Sequence, residues 1–160
     1  MMGVSGSGKS LIGQKLANKI GGQFADADDF HAPETREKMR SGIPLTDEDR
    51  WPWLQRLRQH ILAKRAETRC LVLACSALKA IYRDKLRGGD TGGELAFVHL
   101  HGSAELIRQR MAARQGHYMP VALLDSQLAT LEVPTDALRV DVAAEPDTLV
   151  ENILQQLSVV

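Results

Sequence analysis

Gly3-Val4-Ser5-Gly6-Ser7-Gly8-Lys9-Ser10 fits the pattern G-x-x-x-x-G-K-[ST] at every fixed position. Glycines in such a loop let the backbone curl until its N–H groups converge on one point, where phosphate oxygens can be held. Beyond it, Leu11, Ile12, Leu16 and Ile20 fall near helical spacing, and Gly21-Gly22 stops the pattern. A helix opening at Ser10 adds its positive end to the loop. All eight residues, Gly3, Val4, Ser5, Gly6, Ser7, Gly8, Lys9 and Ser10, are expected against nucleotide phosphates. Lys9 should reach the β- and γ-phosphates, and the Ser10 hydroxyl should bind Mg²⁺. A strand should lead into this loop, yet only Met1 and Met2 precede it. The first strand therefore reads as truncated, which would leave the edges of its neighbours open.

Outward from the loop, short apolar runs alternate with longer amphipathic stretches, the pattern of an α/β domain with a mainly parallel sheet. Strands are expected at Gln23–Asp26, Leu71–Ala74, Leu95–Leu100 and Leu138–Val142. Helices are expected over 10–20, 34–41, 79–87, 121–131 and 147–157, with another from a Ser103 cap to about Arg114. A longer helix should open at Asp47 and Asp49, carry Pro52 in its first turn, and take an apolar stripe from Trp53, Leu54, Leu57, Ile61 and Leu62. No linker or repeat divides residues 1–160, so a single domain is expected.

Composition narrows the function. With 44% hydrophobic and 25% charged residues the chain has ordinary globular balance. Twenty basic residues offset twenty acidic ones, so no general basic field draws in nucleic acid or a membrane surface. No apolar run reaches the length of a membrane span, and the N-terminus lacks the basic and apolar regions of a signal peptide. Cys70 and Cys75 fit no CxxC redox or zinc spacing and read as reduced residues in and around a buried strand. A cytoplasmic protein is the expectation.

The second strand ends in Asp26-Ala27-Asp28-Asp29-Phe30-His31. Ligands of open α/β sheets sit at the carboxyl ends of strands. In extended backbone Asp26 and Asp28 share a face. Phosphoryl transfer wants one acid to orient or deprotonate the acceptor hydroxyl, and often another in the metal shell. A solvated acidic turn is the alternative. His31 reads either as a substrate ligand or as a loop cap; His60, His99 and His101 read as structural, and His117 stays open.

Taken together, GVSGSGKS at 3–10, DADDFH at 26–31, KMRSGIPLTDEDRWPWL at 38–54, CSALKAIYRDKLR at 75–87 and RQGHYMPVALLDSQLATLEVP at 114–134 closely resemble the gluconate kinases, relatives of shikimate kinase. The first block is common to many nucleotide-binding proteins; those at 38–54 and 75–87 are far more specific. The resemblance implies a P-loop NTPase fold of the nucleoside-monophosphate-kinase type: a three-layer α/β/α domain with a parallel sheet and a helical lid around 110–125. It implies ATP and Mg²⁺, D-gluconate phosphorylated on its 6-hydroxyl, and a homodimer. Asp28 matches the acid beside the acceptor hydroxyl, and Asp26 the acid nearer the metal. The chain departs from the family where D-G-D becomes Asp26-Ala27-Asp28 and where H-P-x-x-N-I gives way to His31-Ala32-Pro33-Glu34-Thr35-Arg36.

Gluconate is an anion, and a two-point cation suits its carboxylate. Arg50, Lys79 and Arg83 are the candidates, with a structural salt bridge as the alternative for Arg50. Lys79 and Arg83, four apart on an expected helix, should share a face near the end of the strand at 71–75, and Ser76 lies at that end too. Trp51 and Trp53 read as core first and as walls of a sugar-like site second. Arg110 and Arg114, ahead of Gly116 and His117, suit a closing lid that neutralises charge on the γ-phosphate; cations at a helix C-terminus are the alternative. Lys9, Asp28 and Arg114 are thus the expected catalytic set.

Overall fold

Four short strands form two parallel pairs in a computed structural model that describes residues 1–67, 70–89, 95–113 and 122–157. β1 (Gln23–Asp26) pairs with β2 (Leu71–Ala74), with Gln23 opposite Leu71 and Asp26 opposite Ala74. β3 (Val98–His101) pairs with β4 (Leu138–Asp141), with Val98 opposite Leu138. Between the pairs runs Met1–Gly3. The Met1 ammonium donates to the Leu73 carbonyl (2.9 Å), and the Met1 carbonyl accepts Cys75 N–H (3.0 Å). On the other side Met2 N–H donates to Val98 O (2.7 Å), and Leu100 N–H donates to Met2 O (2.9 Å). The expected gap is therefore narrower than the sequence suggests. Three residues occupy the central position and hydrogen-bond to both neighbours, so the phosphate loop begins from an anchored backbone.

Helices cover both faces. α1 (Lys9–Ile20) and α7 (Pro146–Leu157) pack through Ile12, Leu16, Ala17, Leu149, Val150 and Ile153 onto Val72, Val98, Leu100 and Val140. The opposite face receives α3 (Asp47–Glu67) and α4 (Ala80–Arg87), which bury Trp53, Leu54, Leu57, Ile61, Tyr82 and Leu86 with Met2, Cys75 and Phe97. α2 (Pro33–Arg40) precedes α3; α5 (Ala104–Ala113) and α6 (Ala122–Thr130) lie between β3 and β4 in sequence. Beneath the loop, Val4 meets Leu78, Ile107, Met111 and Leu124 in a smaller cluster.

Local chemistry accounts for the boundaries. Gly21 closes α1 in the left-handed conformation, φ +64°. Thr46 and Asp49 exchange hydrogen bonds, Asp49 N–H to Thr46 Oγ1 (3.2 Å) and Thr46 N–H to Asp49 Oδ2 (3.0 Å), a reciprocal cap that starts α3. Pro52 lies inside that helix rather than in its first turn, so the capping residues and the buried stripe, not the proline, set the start. Ser103 Oγ accepts Leu106 N–H (3.2 Å) and caps α5 as expected. The strand expected from Leu95 begins only at Val98.

Candidate active site

The loop carries its bend on glycines with positive φ: Gly3 at +141°, Gly6 at +81° and Gly8 at +91°. Two of them are also fixed by space. A Cβ on Gly3 would stand 2.5 Å from the Leu100 carbonyl oxygen, and one on Gly6 would stand 2.5 Å from Met111 Cγ. Lys9 Nζ donates back to the Val4 carbonyl (2.9 Å). Ser7 Oγ is fully buried and has no hydrogen-bond partner among the described residues. A curled backbone, an ammonium held over it and an orphaned hydroxyl are what a phosphate group would satisfy.

At the end of β1 the chain does not stay extended. Ala27–Phe30 is a 3₁₀ turn, capped by Asp26, whose Oδ1 accepts Asp28 N–H (3.0 Å). The two carboxylates reach the same cleft because the turn brings them together, not because strand alternation does. Asp26 Oδ2 also accepts the Ser10 hydroxyl (2.5 Å), which joins the loop to the acidic cluster. These paired oxygens fit Mg²⁺. That ion commonly takes one or two protein oxygens with phosphate and water completing its shell, and no cluster of three His, Cys, Asp or Glu forms among the described residues.

A cleft of about 920 Å³, its open mouth included, runs from Ser5, Gly6, Gly8, Lys9 and Ser10 past Asp26 and Asp28. Its far wall comes from His31, Arg50, Trp53, Ser76 and the α6 residues Ser126, Gln127 and Thr130. Trp53 serves both readings considered for it. It is buried, donates its indole N–H to Ala27 O (2.7 Å), and stacks on His31 with ring centroids 4.3 Å apart. Trp51 packs edge-on to Tyr82 instead (5.8 Å). His31 is pushed down to about 4 by burial, helped by Arg56, Arg36 and Arg50, so it is neutral at pH 7. Its Nδ1 is buried without a partner among the described residues, which makes it a hydrogen-bonding group rather than a cation for an anionic ligand.

The three candidate cations part company. Arg50 lines the cleft; its guanidinium donates to Leu45 O and to Tyr82 Oη (3.3 Å). Asp49 pairs with Lys38 (2.7 Å), so the salt bridge considered for Arg50 is made by a different residue. Lys79 lies just before α4 in extended backbone and donates to both oxygens of Asp47 (2.9 and 3.1 Å), which Tyr82 Oη also reaches. Those hydrogen bonds, from Tyr82 first and then Lys79, hold Asp47 below the usual carboxylate range. Arg83 is 4% exposed and donates to Ala77 O (3.0 Å) and Leu78 O (3.2 Å). Ala77 adopts φ +44°, outside ordinary backbone for alanine. Arg83 thus pins a strained turn that presents Ser76 to the cleft, and it does not line the cleft itself. The expected shared face fails because Lys79 precedes the helix.

Arg110 donates to Val142 O (2.7 Å) and lines a second groove, with Gly6, Ser7, Gly8, Ala113 and Ala144, on the other side of the loop. Arg114 and His117 lie outside the described residues, as do residues 114–121 of the segment expected to form a lid. Cys75 is buried, its thiol pushed up to about 12 by desolvation, and Cys70 and Cys75 form no disulfide, as their spacing suggests. Ser126, Gln127 and Thr130 were not singled out from the sequence. Their spacing on a helix, with Ser126 and Thr130 one turn apart, was the available signal.

A glycine-curled loop at the head of a helix, joined through a serine to carboxylates at the ends of parallel strands, defines a P-loop phosphotransferase. A family model described as an AAA domain matches residues 1–134. A probable gluconokinase of Xenopus tropicalis is 44% identical over 96% of this chain and 89% of that protein. A gluconokinase structure from Sinorhizobium meliloti 1021 is 47% identical, with TM-score 0.82 over 98% of this chain and 89% of that one. A sugar kinase from Janibacter sp. HTCC2649, also 47% identical, gives TM-score 0.88 over 99% of this chain and 92% of that one. The chain belongs to the gluconokinase family.

Proposed function

We propose that this chain transfers the γ-phosphate of ATP to the 6-hydroxyl of D-gluconate, giving 6-phospho-D-gluconate and ADP. The observation that carries the reading is the single cleft in which the phosphate loop, Asp28 and a polar acceptor wall are contiguous. Asp28 orients the acceptor hydroxyl and takes its proton as the oxygen bonds to the γ-phosphorus and the bond to the β–γ bridging oxygen breaks. Lys9, whose Nζ donates to the Val4 carbonyl, turns to the phosphates. Arg50 takes the gluconate carboxylate, and neutral His31 bonds a hydroxyl of the chain. Lys79 and Arg83 support this wall through Asp47 and the 77–78 carbonyls rather than by touching substrate. Ser10 and Asp26 hold Mg²⁺, which neutralises charge on the phosphates when bound.

We infer a lid within about 110–125, with Arg110 at its base and Arg114 closing on the transferring phosphoryl group. A single 160-residue domain, working as a cytoplasmic homodimer, is the form this reading expects. Coupled detection of ADP with gluconate, shikimate and other sugar acids tests it. Turnover with gluconate well above the rest is the expected result. A rate with another acid and none with gluconate would move the assignment to that acid. ATP binding without transfer to any acceptor would make the chain a nucleotide-binding module.

A further inference from the structure

Tyr82 is 1% exposed and sits in the core with Trp53, Leu54 and Leu86, behind the acceptor wall rather than on it. Its hydroxyl nevertheless stands between two charged groups from the first turn of α3. It donates to the Asp47 carboxylate and accepts from the Arg50 guanidinium (3.3 Å). A carboxylate only accepts and a guanidinium only donates. The hydroxyl therefore has one way to face, with its proton on Asp47 and a lone pair on Arg50. Lys79 fixes the same carboxylate through both oxygens (2.9 and 3.1 Å). The four residues form a directed relay, Lys79 to Asp47 to Tyr82 to Arg50, and it ends on the cation that lines the cleft.

The ring is held as well as the hydroxyl. Trp51 meets it edge-on (5.8 Å), and Arg50 and Lys79 lie 5.4 and 5.6 Å from its centroid, within cation–π reach. Arg50 makes its hydrogen bonds to Leu45 O and Tyr82 Oη from one nitrogen, Nη1. The side edge of a guanidinium, Nε with Nη2, is the one that matches a carboxylate at two points. Two acceptors on Nη1 set the plane and rotation of that edge. Ordering a long arginine side chain at the moment of binding costs free energy, and a side chain ordered beforehand avoids that cost.

We propose that Tyr82 is a positioning residue that sets specificity for a carboxylate-bearing acceptor: its hydroxyl, oriented by Asp47, holds the Arg50 guanidinium in the pose that receives the carboxylate. The inference rests on Arg50 being the carboxylate ligand. Its effect falls on the acceptor and not on the nucleotide, because the relay runs behind the acceptor wall. Tyr82→Phe isolates the effect, since it keeps the ring and its contacts with both cations and removes only the hydroxyl.

Steady-state kinetics with gluconate on Tyr82→Phe, Arg50→Met and the double variant test this, with ADP affinity measured by calorimetry and thermal unfolding recorded for each protein. Tyr82→Phe should raise the gluconate KM roughly three- to tenfold, the effect of one hydrogen bond, with kcat and ADP affinity within about twofold of the parent. Arg50→Met should raise the KM further, by roughly thirtyfold or more. In the Arg50→Met background Tyr82→Phe should add less than about twofold, because the group it positions is gone. Should Arg50→Met melt below the assay temperature, Arg50→Lys takes its place, keeping the charge without the two-point edge. An unchanged KM in Tyr82→Phe, or an undiminished further rise in the double variant, would overturn the proposal and leave the kinase reading intact. Arg50→Met with the parent's KM would remove the carboxylate ligand and the inference with it. A parent chain that does not phosphorylate gluconate would remove the reading beneath both.

Discussion

The donor and acceptor sides of the cleft are built in opposite ways. The phosphate loop is eight consecutive residues, Gly3–Ser10, and its shape follows from glycine positions and the helix behind it. The acceptor wall is drawn from the 3₁₀ turn after β1, the start of α3, the strand-end turn at 75–78 and α6, which lie far apart in sequence. The loop's shape depends on its glycines, and its chemistry on the Lys9 and Ser10 side chains that the same short stretch carries. A wall made of side chains from several elements depends on how those elements are held, as where Arg83 donates to the carbonyls of the 77–78 turn.

The largest test of this contrast is at the point where the two sides meet. Asp28→Asn should lower kcat about 10²- to 10⁴-fold, the worth of a positioned acid–base group, while nucleotide affinity changes less than about threefold. Turnover close to the parent would remove Asp28 from the reaction. Arg83→Met comes next. It leaves the carbonyls of Ala77 and Leu78 buried without their donor, so unfolding free energy should fall by roughly 1–3 kcal/mol and the gluconate KM should rise, with nucleotide binding little changed. A large rise in KM with no loss of thermal stability would instead make Arg83 a direct substrate ligand.

The pH dependence of stability sharpens the comparison further. His31 and His99 are both pushed down to about 4, chiefly by burial, and fold neutral. Their contribution is intact above about pH 6.5 and disappears as pH falls toward 4, which urea unfolding at stepped pH will show. The His31 share should vanish in His31→Gln; if the profile is unchanged, that ring is more open to solvent than its burial indicates. The smallest effect is expected at the half-buried Lys79–Asp47 pair. Lys79→Met should change the gluconate KM by less than about threefold and barely move the melting temperature.

Much of this was legible before the structure. The loop, the order of the elements and the acids at 26 and 28 follow from motifs and periodicities carried by neighbouring residues. Two readings went astray for one reason. Asp26 and Asp28 were placed by strand alternation, and Lys79 and Arg83 by helix alternation, but each pair straddles the end of its element. Periodicity predicts which residues share a face only while the element continues. The first strand looked lost because two residues are too few to form a pattern. In the structure those residues gain their backbone partners from β2 and β3, which no local reading can supply.

What the sequence by itself determined is the chemistry of the loop: glycines where the backbone must curl, Lys9 for charge, and Ser10 at the head of a helix. These properties are local, set by sterics and hydrogen bonding among adjacent residues. What only the tertiary structure decided is which side chains face the loop. It brought Gln127 onto the Ser5 amide and Arg50 to the cleft, and it turned Arg83 inward onto two carbonyls. Those outcomes depend on how the helices pack against a shared sheet, and packing is a property of the whole chain rather than of any segment.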